Sequence, residues 1–340
     1  MTRAIVFVGL CGCATLADAG GGDANLPNAL AGPFRPFVAG EVGNGRVAPW
    51  VLRDTRTRPR DLHVLDEDGD PRTLGVEAFA AREPDDGATE PTGVTRELVR
   101  IRARDGRSFE REAEVVLAAA AGWEGGRLAM PCAVRNDASG ETSLYYAAGG
   151  GIGLARGPAG GPLVRVGEGP VLEPPTSGWD AGVTPQSPSV VRVEDGSFRM
   201  FFEADGALGE ATSDDGVVWQ RLPRPALAPS PSTGGVRLAA PFAVRARSAL
   251  GRDLLWLYHA VVRADGARAI EVAAREGDGP LVRAVSPVLA PIGVDGLDEP
   301  AVVRFEGVTL IYATASDEGA PAVLGGLAPA TFALTPPEPP

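Results

Sequence analysis

The sequence predicts an all-β fold, a five-bladed β-propeller of four-stranded blades. Three observations lead there. A proline-centred strand recurs as Met130-Pro131-Cys132-Ala133-Val134-Arg135, Ser187-Pro188-Ser189-Val190-Val191-Arg192, Ala240-Pro241-Phe242-Ala243-Val244-Arg245 and Glu299-Pro300-Ala301-Val302-Val303-Arg304. Each copy is followed by an aromatic strand: Leu144-Tyr145-Tyr146-Ala147, Met200-Phe201-Phe202-Glu203, Trp256-Leu257-Tyr258-His259 and Leu310-Ile311-Tyr312-Ala313. A third marker falls between the copies, as VVLA ending at Ala118, PVLEP at 170–174, PALAP at 225–229 and PVLAP at 287–291. The repeat is roughly 55 residues long, close to the length of a blade.

Within a copy, runs of Val, Leu, Tyr and Phe are broken by Asp-Gly, Gly-Gly or Pro, which reads as short strands and tight turns. GIGLARG (151–157), ALGEATS (207–213) and RAIEVAA (268–274) supply the third strand. A less regular first copy begins at Ala48-Pro49-Trp50-Val51-Leu52-Arg53 and carries an acidic insertion at 82–93. The blades are expected near 46–117, 118–174, 175–229, 230–291 and 292–335, which leaves no room for a second domain. The 45 Gly and 31 Pro fit a turn-rich fold.

The N-terminus reads as a targeting signal. Arg3 precedes a short apolar run, Ala4 to Leu10, too short to span a membrane. Leu10-Cys11-Gly12-Cys13 resembles the lipobox of bacterial lipoproteins. That implies cleavage after residue 12, acylation of Cys13, and a flexible Gly-rich tether over 13–45. An ordinary secretory leader is the other reading. Cys132 is then the one thiol left in the exported domain, so no disulfide framework is expected. Ala14 lacks the Asp that retains many such lipoproteins at the inner membrane, which points to the outer membrane. A net charge of −12 argues against nucleic acid, and all 32 basic residues are arginine. Arg53, Arg56, Arg58 and Arg60 read as a solvated loop.

The order of these elements resembles the five-bladed propellers of glycoside hydrolase family 43 and its arabinanase, levansucrase and invertase relatives. The stretch that carries the resemblance best is 178–230. In that family an Asp commonly precedes the strand proline and projects into a central funnel, and three acids share the hydrolysis. Here the residues before the prolines are Ala48, Met130, Ser187, Ala240 and Glu299. A serine cannot activate water as a carboxylate does.

Propeller geometry places the ends of the aromatic strands and the loops before the prolines on one face. The candidate catalytic carboxylates there are Glu299 and Glu203. His259, aligned with Glu203, and Asp298 are candidate ligand-binding groups. So are the loop pairs Trp123-Glu124 and Trp179-Asp180, although their recurrence favours a role in shaping loops. Glu210 lies farther from the axis. Cys132 reads as a small core residue, and His63 lacks metal-ligand spacing. The acidic run at 66–70 reads as a hairpin turn rather than a calcium loop. No cofactor or metal motif is found, with a structural calcium left open. Two functions follow: a non-catalytic lipoprotein monomer that binds a glycan or an envelope partner, or an active hydrolase on furanose- or pentose-containing glycans with a rearranged acid set.

Overall fold

The computed structural model describes residues 35–36, 57–66, 76–82, 94–103, 114–136, 139–193, 195–230, 234–247, 253–284, 296–305, 308–316 and 322–327. The expected signal peptide, Cys13, most of the tether, and Ala48 to Arg56 lie outside these residues.

Nearly everything described is strand. One four-stranded antiparallel sheet is formed by β2 (Thr57–Asp66), β3 (Val76–Arg82), β4 (Glu97–Ala103) and β5 (Glu114–Ala118). A second holds β6 (Leu128–Asn136), β7 (Glu141–Ala148), β8 (Gly151–Pro158) and β9 (Val164–Arg165). A third holds β10 (Gln186–Arg192), β11 (Phe198–Ala204), β12 (Ala207–Ser213) and β13 (Gln220–Arg221). The remaining strands share an eight-stranded sheet: β14 (Gly235–Arg247), β15 (Asp253–Arg263), β16 (Arg268–Glu276), β17 (Val282–Arg283), β18 (Gly296–Phe305), β19 (Val308–Ser316), β20 (Ala322–Leu327) and the N-terminal β1 (Arg35–Pro36). The all-β propeller is present, with four hydrogen-bonded sheets. The eight-stranded sheet is joined across its middle by one parallel pairing, Arg268 with Gly296. Strands β2, β6, β10, β14 and β18 touch one another in a closed ring. Among the described residues no helix is long and apolar enough to cross a membrane.

The core lies between the sheets. Phe79, Leu98, Leu117, Leu128, Leu144 and Tyr146 join the first sheet to the second. Cys132, Tyr145, Leu154, Val190, Met200 and Phe202 join the second to the third. Phe201, Leu208, Leu238, Leu257 and Val261 join the third to β14–β16. The second and third sheets are therefore packed on both faces, which is why their inner strands are continuously apolar rather than alternating.

One seam is repeated in detail. Trp123 stacks on Tyr146, with centroids 6.1 Å apart, and Trp179 stacks on Phe202 at 6.4 Å. The aromatic ring in turn covers a glycine across the ladder, Gly153 under Tyr146 and Gly209 under Phe202. A Cβ at Gly153 would lie 2.4 Å from the Tyr146 ring, and one at Gly209 would lie 2.3 Å from Phe202. Only glycine fits beneath these rings. Cys132 accepts a hydrogen bond from the Val190 N–H of the next sheet at 3.1 Å, as Ser189 Oγ does from Ala243 N–H at 2.8 Å. Burial pushes the Cys132 thiol up to about 12, so it is an inert packing group.

Candidate funnel site

Each first strand carries a bulge at the same place. The ladder skips from Ala129 to Cys132, from Gln186 to Ser189, from Ala239 to Phe242 and from Asp298 to Ala301. Inside each bulge the residue before the proline adopts a left-handed backbone: Met130 (φ 49°), Ser187 (φ 50°), Ala240 (φ 45°) and Glu299 (φ 52°). Such a conformation costs a non-glycine residue about 1–2 kcal/mol. Four strained residues at one repeat position mark a place where the fold re-aims side chains.

The first strand of the first sheet is irregular too, over a longer stretch and without the proline marker. Its ladder skips from Arg58 to His63. Two positions before His63, where the other strands place Met130, Ser187, Ala240 and Glu299, stands Asp61. Leu62 occupies the proline position, so an alignment anchored on proline passed over it and settled on Pro49. The signal was legible: Asp61-Leu62-His63-Val64-Leu65 runs to an Asp-Gly, as Ser187-Pro188-Ser189-Val190-Val191 does.

Register also corrects His259. Ser189 pairs with Phe201 and Gln186 with Glu203, whereas Phe242 pairs with Tyr258 and Ala239 with Ala260. The structural counterpart of Glu203 is therefore Ala260, and in the last copy it is Thr314. His259 is the counterpart of Tyr146 and Phe202. A one-residue slip turns a side chain to the opposite face of the sheet. His259 is accordingly fully buried between β15 and the preceding sheet, beside Leu257 and Val261, with Nδ1 3.1 Å from the Leu257 carbonyl.

Glu203 lies against the bulged residue of its own first strand and that of the next. One carboxylate oxygen is engaged by the Arg237 guanidinium, and the other accepts from Ala240 N–H at 3.3 Å and Ser187 Oγ at 3.5 Å. The hydrogen bond to Glu203 raises the Arg237 pKa above its ordinary value. Ser187 Oγ also contacts Met130 Sδ. The last copy inverts this arrangement, with Thr314 Oγ1 donating to Glu299 Oε2 at 3.1 Å. Acid and hydroxyl have exchanged places between the bulge and the end of the second strand. Asp298 accepts from Glu299 N–H at 3.0 Å and pairs with Arg268.

The Trp-acid pairs turn inward. Glu124, in the 3-10 turn Gly122–Glu124, is fully buried. Its carboxylate accepts from Ala120 N–H (2.8 Å), Ala121 N–H (2.9 Å), Tyr146 OH (2.9 Å) and Arg165 Nε (2.7 Å). Asp180 is held by Arg221 at 2.6 Å. Arg165, Arg221 and Arg283 each also donate to a backbone carbonyl of the preceding marker, at Ala118, Glu173 and Ala228. These groups clamp neighbouring sheets together and are not offered to a ligand. Glu210 lies outward, bound by both terminal nitrogens of Arg275 (2.6 and 2.9 Å) and by Arg199 (2.9 Å). That network borders a cavity of about 230 Å³ lined by Asp195, Asp253 and Asp278 among others, each carboxylate of which already has a local partner. Among the described residues no group of three or more His, Cys, Asp or Glu could hold a metal ion.

No family model matches the chain, and no curated protein matches it. Solved structures do. The chain is similar to RS223 β-xylosidase, with a TM-score of 0.61 and 14% identity over 86% of this chain and 99% of that one. It is similar to an exo-1,5-α-L-arabinanase from a bovine ruminal metagenomic library, with a TM-score of 0.59 and 15% identity over 80% and 94%. It is also similar to the GH43_1 enzyme of Xanthomonas citri complexed with xylose, with a TM-score of 0.57 and 15% identity over 82% and 89%. What this chain shares with family-43 glycoside hydrolases is the β-propeller fold.

Proposed function

We propose that the funnel binds a glycan without cleaving it. The observation that carries this reading is the state of Glu203. A general acid must hold a proton ready for the leaving group, and a general base must face a water. Glu203 is instead occupied by Arg237, Ala240 N–H and Ser187 Oγ. Two other axial positions, Met130 and Ala240, carry no titratable group at all. What remains at the bulges are hydrogen-bonding side chains, Ser187, Glu203, Glu299 and Thr314, of the kind suited to hydroxyl-rich ligands. One observation favours hydrolysis as a second reading: Asp61 stands two residues before the point where the β2 ladder resumes, as Glu299 does on β18, and the two strands touch.

A panel of arabinan, xylan, levan and nitrophenyl furanosides separates the two. Binding without sugar release, the same in Asp61→Asn and Glu299→Gln as far as release is concerned, is expected. Release abolished by either substitution would establish the hydrolase instead.

We further read the eight-stranded sheet as two blades, β14–β17 and β18–β20 with β1, joined by a single pairing. This gives five blades around the ring of first strands, and an experimental map with four arcs about the axis would overturn the count. The N-terminal sequence supports an envelope lipoprotein anchored through Cys13 at the outer membrane, with the domain monomeric. Expressed from its own leader, the chain is expected to enter the detergent phase in Triton X-114 partitioning. Cys13→Ser should move it to the aqueous phase, and an unchanged distribution would sink the anchor.

A further inference from the structure

The funnel mouth presents two arginines whose arrangement goes beyond sugar hydroxyls. Val262 on β15 pairs with Arg237 on one side and Arg268 on the other. Residues in one cross-strand row share a face of the sheet, so the two side chains rise together from backbones about 10 Å apart. A bulge at the exposed Val236 sets the direction of Arg237. Each guanidinium is anchored through one terminal nitrogen, Arg237 on Glu203 and Arg268 on Asp298, and Asp298 also acts electrostatically on Arg237.

Exposure decides what a ligand meets. The Arg237 and Arg268 side chains are 51% and 43% exposed, whereas the carboxylates behind them are 11% and 19% exposed. The acids are the more buried partners and hold the more exposed guanidiniums in place. A guanidinium fork oriented in this way matches a carboxylate bidentately. The chain as a whole carries −12, and at this place the two arginines balance their two carboxylates, so recognition of an anion here rests on directed hydrogen bonds from the guanidiniums rather than on net charge.

We propose that Arg237 and Arg268 dock the carboxylate of a uronic acid, so that the glycan taken by the funnel is an acidic one. The assignment rests on the glycan-binding reading and names the ligand class for it.

The test is titration calorimetry on the mature chain with an oligogalacturonate, its methyl ester and xylotriose. The ester keeps every hydroxyl and removes only the charge. The acid is expected to bind at least tenfold more tightly than its ester. Arg268→Gln should abolish that difference while leaving the melting temperature within a few degrees. Removing Arg237 alone would strand Glu203, so the paired variant Arg237→Gln/Glu203→Gln is used, with the same loss of preference expected. Equal affinity for acid and ester, or tight binding of xylotriose alone, would overturn the acidic-ligand assignment and leave glycan binding intact. A preference for the acid that survives both variants would overturn the arginine pair. No binding of any of the three would remove both readings.

Discussion

Glu124→Ala is expected to destabilise the domain by about 3–5 kcal/mol, the cost typical of removing one partner from a buried ion pair. The side chain is fully buried, and its carboxylate gathers two backbone N–H groups, a phenol and a guanidinium. Alanine would leave those donors without an acceptor at the seam between the first two sheets. It would also leave Arg165, the residue that reaches the Ala118 carbonyl, without its counter-ion. Urea unfolding at unchanged m-value measures the loss, and a change below about 1 kcal/mol would show that the clamp contributes little.

Glu124→Gln separates charge from shape. Burial pushes the Glu124 carboxyl up, but the hydrogen bond from Arg165 and those from Ala120, Ala121 and Tyr146 outweigh it, and the net direction is down from 4.5. A depressed carboxyl contributes stability that is complete above its unfolded value and is lost as pH falls through its folded one. The glutamine variant should therefore lose part of its advantage at neutral pH and show a flatter acid limb below about pH 4.5.

The repeat made most of the architecture legible, because the strand prolines, the aromatic strands and the Leu-Ala markers are all fixed by packing that recurs from sheet to sheet. The clamps were half legible. Trp123-Glu124 and Trp179-Asp180 could be seen as loop-shaping pairs. Their partners Arg165 and Arg221 could not, because a Val-Arg or Gln-Arg dipeptide on a short outer strand carries no signal by itself. Two features were hidden for physical reasons. Where both faces of a strand are buried, apolar periodicity no longer sets register, so Trp256-Leu257-Tyr258-His259 aligned as well one residue out of step as in step. The bulge that fixes the true register is a backbone event with no side-chain marker except the proline. Where Leu62 replaces that proline, Asp61 vanished from the pattern. Glu203 and Glu299 were thus legible as neighbours of the strand prolines, while Asp61 and the arginines that pair with Glu203 and Asp298 were not.

The third seam differs from the other two in a way that acid should expose. Where those seams hold Tyr146 over Gly153 and Phe202 over Gly209, this one pairs His259 with Glu271. Both are buried, and Arg283 stands 3.8 Å from the Glu271 carboxylate. His259 Nε2 has no hydrogen-bond partner among the described residues. Burial, with a smaller contribution from Arg283, drives the His259 pKa from 6.5 to about 3. The folded protein therefore refuses a proton that the unfolded chain accepts below pH 6.5. Stability should be complete above that value and fall as pH drops toward 3. The total loss is on the order of 5 kcal/mol, because each tenfold drop in proton affinity is worth about 1.4 kcal/mol. Glu271 works in the opposite sense. Burial raises its pKa, against the pull of Arg283 and Arg263, so its burial cost is relieved as it takes up a proton. The loss between pH 6.5 and 4.5 thus belongs to the histidine, in a window above that of Glu124. His259→Phe/Glu271→Gly rebuilds the ring-over-glycine pair of the neighbouring seam. Urea midpoints across this window should decline in the natural protein and stay level in the double variant. Parallel declines would mean that the histidine is not the group being titrated, and that the acid sensitivity of the fold lies elsewhere.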